Sequence, residues 1–455
     1  MVIRSVDPTT GEVLQELAPA STQAIAGAIT HAHAAGQDWA RVPLSRRCEL
    51  LRGAAAALRA RRDELARLMA REMGKPVTQG RAELEKCALA CDYYADQAPL
   101  LLEPQEVVTE ARRSVVAFRP RGVVLGVMPW NFPFWQVFRF AIPALVGGNT
   151  CLLKHASNVP QCALAIQDLF REALFPAGVF QTLLIGADQV DQVIDHPLVR
   201  GVSLTGSNRA GQAVASRAGA ALKPTVLELG GSDPYVILED ADLEQAAEAC
   251  VASRLINAGQ SCIAAKRFVV VEAVREPFQR MVVERMRAAR MGDPRDEATE
   301  LGPLARLDLR ERLTRQVRDS VAAGARCVLG GDPSGLRGAF FPPTVLTRVP
   351  PAAPAWREEL FGPVAALIAV PDEAEAIRAA NDTEYGLGAA VFTRDLERGW
   401  RIARDELEAG SCFVNAYVRS DPRLPFGGTK ASGYGRELGA FGIYEHLNVK
   451  TIWEA

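Results

Sequence analysis

The chain predicts an α/β protein with two mainly parallel sheets, and three patterns carry that expectation. From Thr22 to Cys91 apolar residues recur at three- and four-residue steps, as in LLRGAAAALRARRDELARLMAREMG, where Gly74 and Pro76 supply a stop; two or three long amphipathic helices follow from it. After Pro99 the pattern changes: SVVAFRPRGVVLGVMPW alternates like strand and closes on a Pro-Trp-Asn turn. From there to about Leu229 short apolar runs alternate with helical ones: TCLLKHA, QCALAIQDLFREALF, VFQTLLIG, VRGVSLTG, a helix from Ser207 to Gly219, then PTVLELGG. A second alternation spans Pro234 to about Asn415, with YVILEDA, RFVVVEAV, EPFQRMVVERMRAAR and GLGAAVFTRD. Strands separated by helices need crossover connections, which build parallel sheets. The two units abut near Glu228 to Gly231.

Composition narrows the class. The chain carries 54 acidic against 52 basic side chains, a formal charge of −2, and no basic run, so a nucleic-acid or membrane-surface footprint is absent. Its apolar stretches stop well short of the ~18 residues a membrane span needs. The opening MVIRSVDPTTGEVL reads as strand, Asp-Pro turn and strand rather than as a secretory leader, and nine cysteines at irregular spacing fit reduced thiols; a cytoplasmic location is expected. Cys87 with Cys91, and His31 with His33, lack a second pair at ligand spacing, so no metal site is expected. The alternating tail LNVKTIWEA and the segment from Arg112 to Phe118 read as edge strands, which invite pairing with another copy.

Four segments carry candidate chemistry. In NAGQSCIAAKR, Cys262 sits among small residues on a Gly-containing turn, accessible as a nucleophile; taken alone it is equally a buried structural thiol. In TVLELGGSDP a strand ends at Glu228, placing a carboxylate at the carboxyl edge of a sheet, where it is either a general base or a solvated strand end. In PWNFPFWQVFR, Asn131 lies in a Pro-rich turn, suited to donate to an oxyanion, with Phe132, Phe134, Trp135 and Phe138 as apolar walls or simple core. In SLTGSNRAG a strand enters a helix through Gly206 and Ser207, a pyrophosphate-binding arrangement whose spacing is neither GxGxxG nor a P-loop.

Taken together and in order, PWNFPFWQVFR, LLKHASNVP, SLTGS, LELGGSDP, NAGQSC, EELFGPV and PFGGTKASGYGREL resemble the NAD(P)-dependent aldehyde dehydrogenase superfamily over essentially the whole chain, and most resemble its short bacterial succinate-semialdehyde dehydrogenases. The resemblance implies a Rossmann-type cofactor domain (1–105 and 120–229), an α/β catalytic domain (230–432) and a small β oligomerisation element (106–119 and 433–455). It implies that Cys262 attacks the aldehyde, Asn131 holds the oxyanion, Glu228 activates the hydrolytic water and Glu437 relays protons. It carries cofactor contacts to Trp130, Lys154, Ser157, Gly206, Ser207, Glu359 and Phe361. Many NAD-preferring members have a glutamate where Ser157 stands; a neutral hydroxyl lets Lys154 pair with a 2′-phosphate, so NADP or NAD is the expected cofactor.

For the substrate, the resemblance points to Arg139 as the partner of a distal carboxylate, with Phe132 and Trp135 as walls. A second arginine of some relatives is Ile256 here, and Ser420 or Arg423 is the expected compensation. The expected reaction oxidises succinic semialdehyde to succinate through a cysteine thiohemiacetal and thioester, in a homodimer or homotetramer with no nucleic-acid or membrane partner. The alternatives are a broader dehydrogenase for aliphatic or C5 semialdehydes, acyl transfer to coenzyme A, which the presence of Glu228 opposes, and a non-catalytic structural offshoot.

Overall fold

A computed structural model describes residues 2–455. The N-terminal helical region is four helices, one more than the upper expectation: Thr22–Trp39, Leu44–Ala60, Arg62–Met73 and Val77–Leu101. Their breaks have local causes. Ser21 caps the first helix by accepting from Ala24 N, and Gly74 ends the third in a left-handed conformation, φ 79°. No helix among the described residues is long and apolar enough to cross a membrane.

The first sheet has six strands in the spatial order Gly433–Tyr434, Thr225–Glu228, Val199–Thr205, Val123–Met128, Thr150–His155, Phe180–Thr182. All but the first of these are parallel, and the strand order reverses between Val123–Met128 and Val199–Thr205. A doubly wound sheet opens a crevice at such a reversal, outside the carboxyl ends of both strands. The next residues after those ends are Pro129 to Asn131 and Gly206 to Ser207. The sheet is buried on both faces, so its strands read as continuous apolar runs rather than alternations.

Seven strands form the second sheet, in the order Arg326–Leu329, Thr344–Thr347, Val364–Val370, Arg267–Val271, Pro234–Ile237, Gly388–Phe392, Ser411–Val414, with only the first pair antiparallel. A third unit is a ribbon in which Leu447–Glu454 pairs with Arg113–Pro120 over eight residues, and Gln105–Glu106 pairs on the far side. Gly433–Tyr434, assigned from the sequence to that ribbon element, instead adds an antiparallel edge to the first sheet beside Leu227 and Glu228.

Helix Trp135–Val146 packs closely on the first sheet: a Cβ at Gly126 would stand 2.3 Å from the Phe140 ring, so the strand needs glycine there. That tight contact seats the helix amino terminus, and with it the Asn131 turn, at the crevice.

Candidate active site

Cys262 follows a strained turn. Helix Leu243–Leu255 ends, and Asn257 (φ 52°) and Ala258 (φ 53°) take left-handed conformations before Gly259 (φ 75°). Non-glycine residues adopt that region only when their surroundings compel it. Here a Cβ on Gly259 would meet the Gly362 carbonyl at 2.3 Å, and polar side chains hold the rest. Asn257 Nδ2 donates to the Asn131 carbonyl at 2.6 Å, Asn131 Nδ2 donates to the Gln260 carbonyl at 3.1 Å, and Gln260 Oε1 accepts from Ala305 N at 2.9 Å. Below the loop, the buried Lys266 ammonium donates to the carbonyls of Cys262 (2.7 Å) and Ser261 (2.9 Å). Lys266 stands within the AAKR segment, but sequence reasoning passed over it because the signal was a lone cation before a strand.

Two cavities meet at Cys262. One, about 450 Å3, is lined by Trp130, Asn131, Gly206, Ser207, Glu359, Phe361 and Cys262, bringing together five of the seven sequence-assigned cofactor residues. At one end is helix Asn208–Ala220, capped by the Ser207 hydroxyl, whose first-turn N–H groups suit an anion. Arg209, Arg306 and Arg312 also line the cavity, and none was found from the sequence because isolated arginines on helices look like solvated surface. Trp130 and Phe361 meet edge to face at 5.8 Å. Phosphate-binding donors at one end and aromatic walls beside the thiol fit a dinucleotide. Lys154 is the next-to-last residue of the strand Thr150–His155, paired with Val127, and Ser157 lies just beyond the strand; neither lines this cavity, and burial lowers the Lys154 pKa.

The second cavity, about 200 Å3, is lined by Phe132, Trp135, Arg139, Ser420, Phe426 and Cys262, among others. Phe134 and Phe138 belong to the core instead, Phe138 stacking on Phe170 at 5.4 Å. Arg423 does not line it: its guanidinium is exposed and bound to Asp421, because the loop turns the side chain outward. Lys86, Gln136 and Tyr417 also line the cavity, and Lys86 carries no sequence signal because its helix, Val77–Leu101, is far from the other lining segments in the chain.

The carboxylates converge behind the cavity wall. Arg139 is almost fully buried, pairs with Glu437, lies 3.8 Å from Glu228 and donates to Thr205 Oγ1 at 3.2 Å. Glu437 also accepts from Ser203 Oγ at 3.3 Å. Neither Glu228 nor Glu437 lines either cavity. Both Glu228 oxygens are buried without a hydrogen-bond partner, so burial, reinforced by nearby Glu437, holds its pKa well above the usual carboxylate range while Arg139 opposes the shift. Glu437 is raised by burial too. A carboxyl at a strand end whose pKa is raised by burial has the chemistry of a group that takes and returns a proton. The Cys262 thiol is pushed up to about 12 by burial, with Arg139 and Lys266 pulling the other way.

A doubly wound sheet whose crevice ends in an anion-suited helix start, and a thiol where an aromatic-walled cavity meets a smaller apolar one, define an α/β oxidoreductase class that uses a nucleotide. The chain belongs to the aldehyde dehydrogenase family, whose model matches residues 1–452. It is 47% identical to a succinate semialdehyde dehydrogenase [NAD(P)+] of Escherichia coli (strain K12), covering 99% of this chain and 97% of that one. It is 45% identical to a succinate-semialdehyde dehydrogenase [NADP(+)] of Mycobacterium avium (strain 104), with 100% and 97% coverage. The crystal structure of succinic semialdehyde dehydrogenase from Streptococcus pyogenes with NADP+ superposes at a TM-score of 0.97, with 38% identity over 99% of each chain.

The raised thiol has a measurable consequence. Inactivation of the free enzyme by iodoacetamide continues to accelerate with pH beyond the ordinary cysteine range, past about pH 9. A rate that levels off near neutrality would show a thiolate already formed.

Proposed function

We propose that the chain oxidises succinic semialdehyde to succinate with NADP or NAD. The observation that carries this reading is that one thiol, Cys262, lines both the aromatic-walled nucleotide cavity and the smaller apolar cavity. Trp130, Gly206, Ser207, Glu359 and Phe361 hold the dinucleotide, with Lys154 and Ser157 at its ribose. When bound, the dinucleotide supplies a hydride acceptor at the nicotinamide ring.

The Cys262 thiol gives its proton to water, and Sγ attacks the aldehyde carbon, whose C=O bond opens to leave a thiohemiacetal oxyanion. Asn131 Nδ2, which donates to Gln260 in the free enzyme, turns to the new oxyanion together with the Cys262 backbone N–H. Loss of hydride leaves a thioester on Cys262. Glu228 rotates from its place beside Arg139, deprotonates a water, and the resulting hydroxide attacks the thioester to release succinate and the thiol. Arg139 and Glu437 keep Glu228 in reserve, and Glu437 accepts its proton onward. Covalent capture is favoured because it holds the departing hydrogen in a fixed line, which an aldehyde hydrate free in solution does not.

Three measurements test the scheme. Glu228→Gln lowers kcat by about 10²–10⁴ and lets an acyl adduct on Cys262 accumulate, visible as a mass increase of the intact protein; unchanged turnover would remove Glu228 from the water-activating role. Ser157→Glu lowers the ratio of kcat/KM for NADP to that for NAD by about tenfold or more, the cost of setting a carboxylate against a 2′-phosphate.

The third concerns assembly. We propose that the ribbon mediates self-association into a dimer or tetramer, because Leu447–Glu454 is an edge strand with Val449, Ile452 and Trp453 each at least half exposed. Trp453→Asp shifts the light-scattering mass toward that of a monomer; a wild-type protein already monomeric would refute the assignment.

A further inference from the structure

The cavity leading to Cys262 holds a positive charge for which the scheme above has no task. Lys86, on helix Val77–Leu101, lines it with Trp135, Ser420 and Cys262. Its ammonium donates to Ser420 Oγ at 2.7 Å and lies 4.4 Å over the Trp135 ring. An ammonium has three donors, so a single hydroxyl leaves capacity for an anion.

Every acid near Lys86 is already engaged. Glu83, on the same helix, is ion-paired with Lys75 and accepts from the N–H groups of Phe134 and Trp135, both at 2.9 Å. Asp421, in the loop beyond Ser420, is held by Arg423 at 2.6 Å. On the facing helix Arg139 is already paired with Glu437 and donates to Thr205 Oγ1 at 3.2 Å, so its guanidinium is engaged before substrate arrives. Arg419 lines the cavity from an exposed position, and the buried Cys87 thiol neighbours Lys86 on its own helix. Burial, and then the repulsion of Arg139, lower the Lys86 pKa to about 8, a penalty that a bound anion relieves.

We propose that Lys86, with Ser420 beside it, receives the distal carboxylate of the substrate while the aldehyde carbon sits at Cys262, so that helix Val77–Leu101 contributes to the preference for acid-tailed aldehydes. This rests on the reading above that the substrate is a semialdehyde. Lys86 and Cys262 wall one cavity of about 200 Å3, a space suited to a four-carbon chain with a charge at its end.

The test is steady-state kinetics on succinic semialdehyde and on butanal, its uncharged counterpart of equal length, with wild type, Lys86→Met and Lys86→Arg. Lys86→Met raises KM for the semialdehyde by about tenfold or more relative to any change for butanal, the loss expected for one charge-assisted contact, and Lys86→Arg recovers most of the ratio. In the wild type, kcat/KM for the semialdehyde divided by that for butanal falls as pH passes about 8, and this inflection moves upward in Lys86→Arg. Equal KM increases for both aldehydes in Lys86→Met, or an unchanged ratio, would overturn the assignment to Lys86 while leaving the substrate reading intact. A wild-type enzyme that shows no preference for the semialdehyde would overturn the substrate reading itself, and the task of Lys86 with it.

Discussion

Two reciprocal hydrogen bonds, from Asn257 to the Asn131 carbonyl and from Asn131 to the Gln260 carbonyl, are the constraint on which the site depends. Asn131 belongs to the turn after a strand of the first sheet, and residues 257–260 belong to the loop that leads into the second. The chain therefore brings the Asn131 turn and the Cys262 loop together across the boundary between two sheets. Left-handed backbone at Asn257 and Ala258 costs on the order of 1–3 kcal/mol at each position, and the surrounding donors outweigh it. Lys266 below the loop serves the same end, converting two carbonyls that would otherwise point into apolar space into acceptors of a charged donor.

Electrostatics then divide the labour. A single buried guanidinium, Arg139, faces two carboxylates, and the apolar surroundings push both toward their protonated forms. Removing the guanidinium would leave two uncompensated acids in a dry interior, a far larger disturbance than loss of one surface pair. The same burial raises the Cys262 thiol, while Arg139 and Lys266 pull it the other way.

Much of this architecture could be read from residue patterns. Strand–helix alternation revealed both parallel sheets because buried parallel strands are short, apolar and separated by crossover helices, as TCLLKHA and RFVVV are. Cys262, Asn131 and the Gly206–Ser207 turn stood out because each sits in a segment whose glycines or prolines force a bend. What could not be read was side-chain direction. Arg423 and Ser420 are three residues apart, yet one faces solvent and the other a cavity. Phe134 and Phe132 are two apart and fill different spaces, core and pocket. Lys86 was invisible for a further reason: its helix approaches the site only through tertiary packing, and a lysine in an Ala-rich helix looks like solvated surface.

The carboxy-terminal stretch performs two jobs in close succession. It lays Gly433–Tyr434 against the strand that ends in Glu228, contributes Glu437 to the guanidinium, and continues through helix Gly439–Tyr444 into the exposed ribbon strand. Glu437 and the outer ribbon are thus joined by one short helix of backbone. Any library built on the outer surface of this chain has therefore to be screened for turnover as well as for size.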